Sequence, residues 1–124
     1  MKAVIGVALA GSLGALARYG LDAFITRRAS SAFPWGIFAI NISGAFLLGL
    51  VFTVMTERWA GDTWLRTTLT VGFIGSYTTF STLSYQTYRL ASDRMLGLAA
   101  ANMVGTCAAG LVAVYVGILL ARAV

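Results

Sequence analysis

Residues 66–90 read RTTLTVGFIGSYTTFSTLSYQTYRL. The run is long and apolar enough for a membrane-crossing helix, which needs about 20 residues. Its centre, GFIGSYTTFSTLS at 72–84, is poor material for an uninterrupted one. Two glycines, β-branched threonines and a run of hydroxyls all disfavour continuous helix. A broken membrane helix is tolerated only where its freed backbone groups are buried in protein or line a cavity. The break is therefore expected between Gly75 and Thr79, where free carbonyls would favour a cation and free N–H groups an anion. The competing reading is a continuous helix whose Ser and Thr hydroxyls bond back to the preceding turn. Beyond the break, Phe80, Leu83, Ser84 and Thr87 share one helical face, and Ser81, Tyr85 and Tyr88 another. A phenyl ring has a positive edge, so Phe80 suits either core packing or a small anion in a dry pathway.

Working outward, three further apolar segments cover residues 3–24, 34–55 and 96–121, and the third crossing covers 66–90. Apolar residues make up 59% of the 124 and charged residues 10%, against roughly 25% charge in soluble domains. A water-soluble monomer is excluded. With no histidine and one cysteine, an intrachain disulfide, a His-based metal site and a Ser-His-Asp triad are excluded too. The apolar stretches are continuous rather than alternating, which argues against a β-barrel. Lys2 ahead of an apolar run imitates a signal peptide, but Arg18, Asp22 and the equally apolar remainder favour a retained helix. The fold class is all-α: an integral membrane four-helix bundle with a broken third helix, in one transmembrane domain over 1–124. Loops hold Arg27, Arg28, Ser30 and Ser31, then Glu57, Arg58, Gly61 and Asp62, then Ser92, Asp93 and Arg94. Small residues at four-residue spacing (Gly6, Ala10, Gly14; Gly11, Ala15; Ala101, Gly105, Ala109) let helix backbones approach in lipid.

Polar residues inside the apolar segments need partners or a function. Asn41 lies about eight residues into the second segment, within INISG, and Asn102 lies early in the fourth. Each fits a helix–helix hydrogen bond or an ion pathway. Arg18 can snorkel from a helix end or draw anions toward the membrane. All four acids, Asp22, Glu57, Asp62 and Asp93, fall near helix ends or in loops. A small proton-coupled drug exporter would need a carboxylate within the membrane, so that class is disfavoured. No nucleophile has a paired base, so an enzyme is disfavoured as well.

The motifs GSLGALARYG at 11–20, PWGIFAINISGAF at 34–46, GFIGSYTTFST at 72–82 and NMVGT at 102–106 occur in order on the four segments. In these the chain resembles the Fluc family of fluoride channels, also called CrcB. The Asn-x-x-Gly-x-Phe of the second segment, joined to Thr-Thr-Phe-Ser-Thr in the third, is the specific part. The resemblance implies a passive, fluoride-selective channel in the plasma or inner membrane, built as a dual-topology antiparallel homodimer with two pores. It implies a sodium ion at the dimer centre, held by backbone carbonyls that fall by motif on Gly75 and Thr78. It puts Asn41 at the pore asparagine, Phe80 at the first pore phenylalanine, and Ser81 and Thr82 in a hydroxyl track. Thr106 falls where a fourth-helix serine is common, and Arg18 at the first-helix arginine. Three positions depart from the pattern: Leu83 replaces the second pore phenylalanine, Gln86 a glutamate and Ile37 a threonine. Some family members pair two different subunits, and a paralogous partner is the alternative to a second copy.

The charges bear on orientation independently of the resemblance. If the segments alternate, one side carries Lys2, Arg58, Arg66 and Arg122, and the other Arg27, Arg28, Arg89 and Arg94. With equal cations on both sides the positive-inside rule has nothing to act on. The expected outcome is insertion in both orientations. Cysteine-accessibility labelling near Arg28 should reach the residue from both faces of the membrane, whereas labelling from one face alone would defeat the antiparallel expectation.

Overall fold

The computed structural model describes residues 1–59 and 62–123; Gly61, expected in the second loop, lies outside the described residues. Helix α1 is Lys2–Thr26 and α2 is Trp35–Glu57. The third crossing is in two pieces, α3 over 63–77 and α4 over Phe80–Ser92. Helix α5 is Leu96–Ala123. Helix α3 widens to π geometry over Thr68–Ile74, and α5 does so over Ala101–Gly105.

Local chemistry explains the boundaries. Pro34 occupies the N-cap position of α2, where a missing N–H is harmless. Around it the rings of Phe33, Trp35 and Phe38 cluster with centroids 4.6 to 5.7 Å apart. Asp62 caps α3, its carboxylate accepting the Leu65 N–H at 2.9 Å. Between α4 and α5 the chain reverses through Arg94, whose φ of 61° lies in the left-handed region.

Helices α1, α2 and α5 are each long and apolar enough to cross a bilayer, with mean hydropathies of 1.5, 2.2 and 2.2. Large apolar side chains cover the outside of the bundle, among them Leu9, Leu13, Leu16, Phe52, Leu111 and Val112. The chain is a multi-pass, all-α membrane protein. The two ends of the bundle separate as alternating crossings require. At one end Trp64 donates its indole N–H to the Lys2 carbonyl at 2.9 Å, and Arg122 pairs with Glu57 at 2.8 Å. At the other, Ala32, Pro34, Arg89 and Asp93 line one shallow cavity.

Glycine decides how the helices meet. Along α1, the Gly6, Ala10, Gly14 stripe faces α3: a Cβ on Gly6 would strike Thr68, one on Gly14 the Phe73 backbone, and one on Gly72 the Ala10 methyl at 3.0 Å. The expected stripe of α5 does not pack in this way. Ala101 is exposed and a Cβ on Gly105 would meet nothing. The face that meets α2 carries Gly110, Val114 and Gly117 instead. The widened turn at Ala101–Gly105 shifts the register on which the four-residue spacing depends. Gly49 and Gly117 are reciprocal, since a Cβ on the first would strike the Val114 carbonyl and one on the second the Phe46 carbonyl.

These contacts are with backbone, which cannot yield as a side-chain tip does. Gly49→Ala or Gly117→Ala should each cost about 1–3 kcal/mol, the usual penalty for overpacking. Gly97→Ala, where a Cβ meets open space, should be neutral or slightly stabilising. Thermal unfolding in mild detergent checks the contrast.

Candidate functional site

The third crossing breaks where the sequence is poorest in helix formers. Thr78 (φ −80°, ψ 155°) and Thr79 (φ −151°, ψ 114°) are both extended. An extended residue turns its own N–H and C=O to the same side. At Thr79 that side is occupied by Asn41 of α2. The Thr79 N–H donates to Asn41 Oδ1 at 2.9 Å, and Asn41 Nδ2 donates to the Thr79 carbonyl at 3.3 Å. Helix α2 holds the break at two further points. Ser43 Oγ and Tyr77 Oη are hydrogen-bonded at 2.9 Å, and Gly44 leaves room for Thr78 to lie against the α2 backbone.

Thr79 also starts α4. Its Oγ1 accepts the Thr82 N–H at 3.3 Å and lies 3.2 and 3.1 Å from the hydroxyls of Ser81 and Thr82. The hydroxyls at 79, 81 and 82 thus form one hydrogen-bonded group. Two N–H groups are diverted by this arrangement. In a continuous helix the Thr79 N–H would close on the Gly75 carbonyl and the Thr82 N–H on the Thr78 carbonyl. Here they serve Asn41 and Thr79 Oγ1, so both carbonyls lose their helical donors.

A groove of about 450 Å³ opens beside the break. Asn41, Thr78, Phe80, Leu83 and Thr106, all singled out in the sequence, line it together with Thr79 and Cys107. Ser81 and Thr82 reach it only through Thr79. Phe80 and Leu83 share the groove but not its environment. Phe80 is 71% exposed. Leu83 is 3% exposed and packs into a core with Ile37, Ile40 and Tyr77.

The model of the family described as CrcB-like protein, Camphor Resistance (CrcB), matches residues 5–118. The chain belongs to this family. It is 46% identical over 81 residues to the fluoride-specific ion channel FluC of Hahella chejuensis, covering 65% of this chain and 64% of that one. It is 42% identical to the FluC of Solibacter usitatus over 94% of this chain and 95% of the relative. With the FluC of Citrifermentans bemidjiense it shares 40% identity over 99% of both. The matched stretch thus spans just under two thirds of the Hahella protein and nearly all of the other two. The relatives' names describe ion channels, not catalysts.

In this CrcB-family chain further buried polar side chains sit on α1, α3, α4 and α5. Asn102 is fully buried and its Nδ2 donates to Thr87 Oγ1 at 2.9 Å. Thr87 spends its own proton on the Leu83 carbonyl, so it must accept here, which fixes the amide orientation and leaves Asn102 Oδ1 unpaired. Thr106 Oγ1, Thr68 Oγ1, Gln86 Oε1 and Arg18 Nε are likewise buried without a partner among the described residues. Among these, Thr106 lines the groove, with its hydroxyl oxygen buried behind the groove surface.

Among the described residues no three His, Cys, Asp or Glu side chains cluster as a metal cage. The Gly75 and Thr78 carbonyls are a different donor set, neutral oxygens that suit a hard alkali cation. Sequence reading placed Thr79 in the break but assigned it no role. The signal was present: a threonine just ahead of a helical run is a preferred N-cap. Thr79→Ala should cost about 1 kcal/mol, the typical loss of a capping hydroxyl. It should also free the Ser81 and Thr82 hydroxyls from each other. Thermal unfolding gives the first effect, and increased hydrogen exchange in the first turn of α4 the second.

Proposed function

We propose that this CrcB-family chain is a fluoride-selective channel, formed by two copies in antiparallel orientation, through which cytoplasmic fluoride leaves passively. The observation that carries the reading is the convergence of Asn41, Phe80 and Thr106 on one groove beside a helix break, in a chain whose nearly full-length relatives are named as fluoride-specific channels. Fluoride is small and tightly hydrated, so a pathway must replace its water with hydrogen-bond donors in a narrow space. Asn41 Nδ2 keeps one N–H beyond its bond to Thr79, the buried Thr106 hydroxyl is uncommitted among the described residues, and the exposed Phe80 ring offers its positive edge. Ser81 and Thr82 extend the donors away from the groove through Thr79, and Arg18 serves the anion's approach or anchors α1.

A groove open on one side does not exclude water. A second copy laid against the exposed Phe80 face would close it, and the balanced charges of the two ends permit that copy to be inverted. The two Gly75 and Thr78 carbonyl pairs of such a dimer would hold a sodium ion, and that ion supplies positive charge where two sets of carbonyl dipoles would otherwise repel. The acids count against the drug-exporter alternative: Glu57 is paired with Arg122 at a bundle end and Asp62 caps α3.

Leu83 makes the reading specific. Without a second ring edge, a passing anion loses one stabilising contact. Liposomes containing only this protein should release fluoride, but more slowly than those with a relative bearing phenylalanine there, and Leu83→Phe should raise the rate. No release from the pure protein, restored by a co-expressed paralogue, would instead assign the chain to a two-subunit channel.

A further inference from the structure

The proposed channel treats Asn41 as an anion donor, yet the two bonds it makes are both to backbone. Its Oδ1 accepts the Thr79 N–H at 2.9 Å and its Nδ2 donates to the Thr79 carbonyl at 3.3 Å. An amide N–H can only donate, so the carboxamide orientation is determined, not assigned by choice. Thr79 is buried, and an extended residue inside a membrane has no water to satisfy its two backbone groups. Only a primary carboxamide carries an acceptor and a donor on one edge with the spacing of a strand partner. A carboxylate would meet the N–H but repel the carbonyl; a hydroxyl would reach one of the two.

We propose that Asn41 is a positioning residue, a splint that substitutes for a neighbouring strand and holds Thr79 extended. Everything else at the break follows from that residue's conformation. With Thr79 extended, its Oγ1 is placed to cap α4 and tie Ser81 to Thr82. The Gly75 and Thr78 carbonyls are released from the helix, and Phe80 starts a new helix with its ring beside the groove. The spare N–H on Nδ2 is aimed by the same constraint, so the splint and the donor are one rigid group. The consequence for flux rests on the channel reading; the consequence for the backbone does not.

The experiment removes the splint from each side. Replacing the Thr79 residue by its α-hydroxy analogue converts the 78–79 amide to an ester, deleting one N–H and leaving the Asn41 carboxamide whole. Asn41→Leu keeps the shape and deletes both polar atoms. Hydrogen–deuterium exchange of the full-length protein is followed over residues 78–84, and fluoride efflux is followed from liposomes. In Asn41→Leu, exchange over this stretch should rise by about tenfold, the order expected when a buried hydrogen bond is left unmade. The ester should slow efflux by a similar factor, and adding Asn41→Leu to the ester should cost less than the two losses combined. Unchanged exchange in Asn41→Leu, or normal efflux from the ester, overturns the proposal. If the unmodified protein carries no fluoride, the channel reading fails, and the exchange measurement alone decides the splint. Should Asn41→Leu not fold, exchange in the ester, whose carboxamide is intact, decides it in the same way.

Discussion

A helix that stops for two residues inside a bilayer leaves backbone donors and acceptors with no water to take them. An unpaired amide group in an apolar medium costs several kcal/mol, a large part of a small protein's stability. The break at Thr78–Thr79 therefore exists only because α2 meets it with matching polar groups. Asn41 takes both backbone groups of Thr79, Ser43 reaches Tyr77, and Gly44 admits Thr78 to close contact. Three positions of α2, 41, 43 and 44, thus form the counterpart of three consecutive positions of the third crossing, 77–79. Neither stretch has a stable arrangement in lipid without the other.

That dependence organises the rest of the bundle. Helix α2 must lie close to the break on one side, and it lies close to α5 on the other through Gly49 and Gly117. Helix α1 closes against α3 by its own small residues, which fixes the half of the crossing that precedes the break. The half that follows is held by its cap at Thr79 and by Asn102, whose amide reaches Thr87 from α5. Helix α2 meets both halves, Tyr77 through Ser43 and Leu83 through Ile37 and Ile40, and holds the break between them through Asn41 and Gly44.

The sequence made the coarse architecture readable because lipid imposes so simple a rule: long apolar runs cross, and charges stay at the ends. The break was readable for a related reason, since a cluster of glycines and β-branched threonines at mid-span is poor material for a continuous helix. What the residues did not disclose was register. The Ala101, Gly105, Ala109 spacing presumed 3.6 residues per turn, and the π turn over Ala101–Gly105 moved α5's packing face to Gly110 and Gly117. Likewise the three-residue step from Phe80 to Leu83 puts both on the groove side, yet spacing says nothing of depth. Leu83 lies against Ile37 and Ile40 because α2 approaches at that level, whereas Phe80 stays exposed on the open side of the groove.

Two of the three positions that depart from the resembled pattern meet in one place. Ile37 and Leu83 are in the same buried cluster, with Ile40 and Tyr77. A threonine at 37 would carry a hydroxyl, and a phenylalanine at 83 a ring; here both side chains are aliphatic and fill the space without a polar atom or a positive edge. Substitutions in contact compensate each other in volume, and a smaller residue at 83 matched by a bulkier branched chain at 37 keeps the core dense. The two changes therefore read as one event, a buried cluster beside the groove that is aliphatic at 37 and 83 where the resembled pattern is polar and aromatic. In the proposed channel this leaves Asn41, Phe80 and Thr106 to carry the anion past that level, so their geometry matters more here than in a relative with the fuller set. It also means that Leu83→Phe alone places a larger side chain against an unaltered Ile37. The ring then has to extend into the groove rather than into the core, which is the side on which a ring edge would meet a passing ion.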